Sequence, residues 1–111
     1  MSINRNRSGT TERRKRLHEL VDLREELREL QATLEHEELR FAEAVKKRSA
    51  IMNKSEKDSD DEDTFLENLR ISEENIHSHR TKILDIQSKI IDMKESILSL
   101  EILVKMDDNQ H

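Results

Sequence analysis

Apolar residues recur along this chain at steps of seven, with a second set three residues after the first, in two separate blocks. In the first block Leu20, Leu27, Leu34 and Phe41 share one heptad position, labelled a; Leu23, Leu30, Ala44 and Ile51 share d, where Glu37 is a polar exception, as Arg48 is at a. In the second block Leu69, Ile76, Ile83, Ile90, Ile97 and Val104 hold a without a break, and Phe65, Ser72, His79, Ile86, Met93 and Leu100 hold d. Spacings of three, four and seven follow the 3.6-residue turn of a helix, not the two-residue alternation of a strand. The pattern predicts two amphipathic helices, over about residues 10–53 and about 64–106, with ends uncertain by ~2–4 residues. The period stops over residues 54–63, KSEKDSDDED, which predicts a loop there. Thr64 followed by Glu67 has the spacing of a capping box and sets the expected start of the second helix.

The blocks are nearly equal in length, as a chain folded back on itself requires. In antiparallel packing an a residue faces a d residue of the other helix. One register satisfies both rows: Leu20 with Leu100, Leu23 with Ile97, Leu27 with Met93, Leu30 with Ile90, Leu34 with Ile86, Ala44 with Ile76, and Ile51 with Leu69. A shift of one heptad strands Ile97 and Val104 in one direction, or Phe65 and Leu69 in the other. The expected seam therefore comprises Leu20, Leu23, Leu27, Leu30, Leu34, Leu69, Ile76, Ile83, Ile86, Ile90, Met93, Ile97 and Leu100. The fold class is all-α, an antiparallel two-helix coiled-coil hairpin.

Two strands need only a and d, yet the second helix also carries Leu84, Ile91 and Leu98, each one residue past an a position, with Ile102 and Leu103. The first adds Leu17 and Val21 near the same end. So broad an apolar arc suits a helix with more than one neighbour. It predicts a partner or oligomer interface through Leu17, Val21, Leu84, Ile91, Leu98, Ile102 and Leu103, completing a three- or four-helix bundle.

Composition narrows the alternatives. The 111 residues include one Gly, no Pro, no Cys and two Phe, and 41% are charged. Hydrophobic residues make up 32%, against roughly 45–50% in globular domains when Gly is counted. That supplies a seam, not a thick core. High charge and few aromatics also mark disordered chains, but the unbroken a row of the second block argues against disorder there. Without Cys there is neither disulfide nor thiolate chemistry. No apolar run is long enough for a signal peptide or membrane span, so the expectation is a soluble chain in cytoplasm or nucleus.

Charge is unevenly placed. Residues 1–16 carry five Arg and one Lys against one Glu, ending in the cluster Arg13, Arg14, Lys15 and Arg16; the loop carries six acids against two Lys, within a chain of formal net charge −5. Residues 1–9 read as a flexible basic arm and 107–111 as a polar tail. A basic segment running into leucine heptads is the outline of a leucine-zipper DNA-binding protein, but Gly9 interrupts it and the net charge is negative, which argues against nucleic acid. Ser55 and Ser59 precede acids and are candidates for phosphorylation by acid-directed kinases; a solvated linker explains the same residues.

His77 and His79 stand two apart, roughly 200° around a helix, so they cannot converge on a metal. There is no glycine-rich phosphate loop, and no concave scaffold to shield a paired-carboxylate site from water. The sequence thus predicts no catalytic residues, no metal, no cofactor and no small-molecule ligand. His79, at d and opposite Phe41, with Glu37 one layer away, predicts a polar layer that sets register and is open to pH control. The expected function is a non-enzymatic scaffold or adaptor subunit that assembles a multi-protein complex through apolar helix faces, its partners being other helices or a second copy. The alternative is a small helical cofactor or chaperone clasping one globular client, a layout that tubulin-folding cofactors share.

Overall fold

The computed structural model describes residues 2–57 and 61–109, with side chains described for 11–54 and 61–108. It contains two helices, α1 (Ser2–Lys57) and α2 (Glu62–Asn109), which pair antiparallel as a helical hairpin; no strand occurs among the described residues. The fold is all-α.

Burial follows the heptads. From 13 to 51, every buried or half-buried side chain of α1 lies at a or d, with Leu17 the sole addition; from 65 to 107 of α2 the sole addition is Glu101. This is what a period of seven dictates when one helix covers one stripe of another.

The helices run further than the heptads predict. Residues 2–9, expected to lie outside α1 as an arm, have helical backbone, as have residues 54–57. Extending an existing helix costs far less than nucleating one, and the single obstacle, Gly9, costs only about 1 kcal/mol. The expected loop thus loses residues 54–57 to α1 and 62–63 to α2; Asp61 is non-helical, and the rest of that expectation, 58–60, lies outside the described residues. Asp61, not Thr64, caps α2. Its Oδ1 accepts the Asp63 N–H at 3.2 Å, its Oδ2 accepts the Thr64 hydroxyl at 3.0 Å, and its carbonyl accepts the Phe65 N–H at 3.0 Å. The expected capping box does not form: Glu67 instead receives Arg70 at 2.6 Å. An Asp ahead of two acids is the better cap, because its carboxylate reaches the free N–H groups one turn earlier and Glu62 and Asp63 then sit at the positive end of the helix dipole.

Two compact units each take a stretch of both helices: Met1–Gln31 with Ser88–His111, and Ala32–Gln87. In the first, Leu20, Ile90 and Ile97 are buried, Leu20 at 4% exposure. Arg13 donates to Asp108 at 2.8 Å, one residue from the expected pairing, and Arg16 donates to Asp107. Hydrogen bonding to Asp107 raises the Arg16 pKa, so that guanidinium keeps its charge throughout the accessible range. In the second unit Ile86 is buried, Arg48 donates to Glu73 at 3.3 Å, and the Arg80 guanidinium stands 5.9 Å above the centre of the Phe41 ring.

Candidate partner-binding face

Beside its seam, the Met1–Gln31/Ser88–His111 unit carries apolar side chains that the hairpin leaves wet. Val21 is 60% exposed and Leu98 59%; Ile91, Ile102, Leu103 and Met106 are also exposed, and Leu17 is half-buried. The Arg24 Nη2 lies 3.7 Å from the Glu101 Oε1. Arg24 is three residues past Val21 and Glu101 three past Leu98, so this contact puts the Val21 stripe of α1 and the Leu98 stripe of α2 on one side of the hairpin. Ile91 lies seven residues before Leu98 and Ile102 four after it, on that same face. Leu103 does not join it: five residues from Leu98, it is rotated about 140° away and falls on the opposite flank with Met106. Leu84, the remaining expected interface residue, is equally exposed and belongs to the other unit.

Contiguous exposed apolar area of this kind marks interaction sites. Cations surround it. Arg14 and Arg28 lie seven residues either side of Val21, Lys105 seven past Leu98, and Lys94 between Ile91 and Leu98; all four are exposed. Of the basic cluster, Arg13 and Arg16 are held by Asp108 and Asp107, leaving Arg14 and Lys15 on exposed faces.

The Ala32–Gln87 unit has a polar layer within its seam. Glu37 is buried at 8% exposure, and its Oε2 lies 3.0 Å from the His79 Nδ1, so the imidazole donates to the carboxylate. That hydrogen bond, with the charges of Lys82, His79 and Arg40, holds the Glu37 carboxyl below its ordinary value against the opposing effect of burial. The polar layer expected from His79 and Glu37 thus forms through a direct hydrogen bond between them. Beside this layer, where Ala44 and Ser72 are too small to fill the seam, an open groove of about 440 Å³ runs between Arg40 and Lys47 of α1 and Asn68 and Asn75 of α2.

Other expected sites are placed as follows. Ser55 is in the last turn of α1; Ser59 lies outside the described residues, as do His111 and the end of the polar tail. His18, His36 and His77 are exposed. Among the described residues no three His, Asp or Glu side chains gather as metal ligands, and no helix is long and apolar enough to cross a membrane.

No family model matches this chain, and no curated protein or solved structure is similar to it.

Proposed function

We propose that this protein is a non-enzymatic coiled-coil subunit that joins a larger assembly by docking helices of other proteins on the apolar face of its terminal half. The observation that carries this reading is the exposure of Val21, Ile91 and Leu98 together on one side of a unit whose own seam already buries Leu20, Ile90 and Ile97. Covering each such side chain stabilises an association by about 1.5–3 kcal/mol at full burial. A heptad-spaced row of them is the pattern by which helices recognise helices.

Photo-crosslinking tests it. A crosslinkable residue in place of Leu98 captures a partner in native extract; one in place of Asp92, two heptads before Met106 on the opposite exposed flank, does not; and Ile91→Glu abolishes the Leu98 adduct while circular dichroism stays unchanged. Equal capture at both positions, or none at Leu98, refutes the reading.

A further inference from the structure

We infer, resting on the partner-docking reading above, that the occupant of the Val21–Leu98 face is an acidic amphipathic helix of a different protein. The residues on this face divide into an apolar centre and a basic rim. Along α1, Arg14, Leu17, Val21, Arg24 and Arg28 follow one another at steps of three and four; along α2, Ile91, Lys94, Leu98, Glu101 and Lys105 do the same. The Arg24–Glu101 contact locks the two rows side by side. Arg24 thereby accounts for Glu101, and Arg13 for Asp108 one step beyond. Arg14, Arg28, Lys94 and Lys105 remain as four exposed cations around Val21, Ile91 and Leu98. Glu25 and Glu95, one step further out on each helix, offset part of that charge but leave the inner rows basic.

This is a local inversion of the chain's own balance, which is −5 overall. A second copy on this face would set basic row against basic row whichever helix it met, and like charges juxtaposed across an interface are what specific interfaces avoid. An anionic membrane would be repelled by the net negative remainder of the chain, and a nucleic acid would leave the apolar centre wet. An acidic amphipathic helix meets both halves of the face: leucines or isoleucines at i, i+3 and i+7 cover Val21 and Leu98, while flanking carboxylates reach Arg14, Arg28, Lys94 and Lys105, as charges flanking a seam choose partners in coiled coils.

The test uses the full chain and two synthetic helical peptides with the same leucine heptads, one flanked by glutamates and the other by lysines. Fluorescence anisotropy is expected to show the acidic peptide bound at least about 10-fold more tightly, with affinity falling by a similar factor between low and high salt. The double change Arg28→Glu with Lys94→Glu is expected to invert the preference without altering helicity. Equal binding of both peptides, abolished by Leu98→Glu, leaves the apolar docking face standing and overturns the acidic partner. Self-association of the chain that Leu98→Glu abolishes, or sedimentation with phosphatidylserine vesicles that the double change abolishes, overturns it in favour of a second copy or a lipid surface. Failure of both peptides to bind brings down the inference and the docking reading together.

Discussion

Replacing Ile97 and Leu98 by alanine, one at a time, separates the seam from the docking face at two adjacent, chemically similar positions. Each change removes three carbons, which at about 0.8 kcal/mol per buried methylene amounts to roughly 2.4 kcal/mol for a fully buried side chain. Ile97 is 7% exposed and loses nearly all of it. Alanine returns up to ~0.5 kcal/mol through its higher helix propensity. The expected cost is therefore about 2 kcal/mol, at the low end for core truncations, because a two-helix seam lets water into the gap from its flanks. Leu98 is 59% exposed, so less than half of its transfer energy is at stake in the isolated hairpin, and the expected cost is below about 1 kcal/mol. At roughly 4–8 °C per kcal/mol for a small domain, Ile97→Ala lowers the melting midpoint by about 8–16 °C and Leu98→Ala by less than half of that. Thermal unfolding followed by far-ultraviolet circular dichroism measures both. Equal shifts, or a larger one for Leu98→Ala, refute the assignment of 97 to the seam and 98 to the free face. A midpoint that rises with protein concentration assigns any excess cost at Leu98 to contact between copies.

Three further outcomes follow from the fold. Because the His79 hydrogen bond depresses the Glu37 pKa below its ordinary 4.5, that carboxylate contributes stability fully above the ordinary value and loses it as pH falls through the depressed one. Acid melts below about pH 4.5 should accordingly weaken the native chain more steeply than Glu37→Gln, and parallel acid limbs would count against the bond. Asp61→Ala removes the cap of α2 and should cost about 0.5–2 kcal/mol in urea unfolding, more than Thr64→Ala does; the reverse order would restore Thr64 as the cap. Ser72→Leu places an apolar side chain where Ser72 and Ala44 leave the groove open, and an increase of roughly 0.5–2 kcal/mol in unfolding free energy is expected; a decrease would mean that the buried serine has a necessary polar partner.

The rows of a and d residues and, to within a residue, the register of their antiparallel pairing were legible in the sequence. Hydrophobic burial is non-directional and depends only on which residues share a face, and the 3.6-residue turn converts linear spacing into faces directly. Arg13 meets Asp108 and Arg48 meets Glu73, each one residue from where that register places them. Hydrogen bonds and charges were not legible in the same way. They are directional and short-ranged, so the partner chosen depends on rotamer and on every donor within a few ångströms. That is why Asp61 rather than Thr64 caps α2 and why Glu101 meets Arg24. Heptad spacing alone requires that two helices pair and that apolar side chains are left over. What the fold adds is the pairing of stripes across the two helices: the Arg24–Glu101 contact brings the Val21 row of α1 beside the Leu98 row of α2, because which stripes meet depends on how the second helix lies against the first.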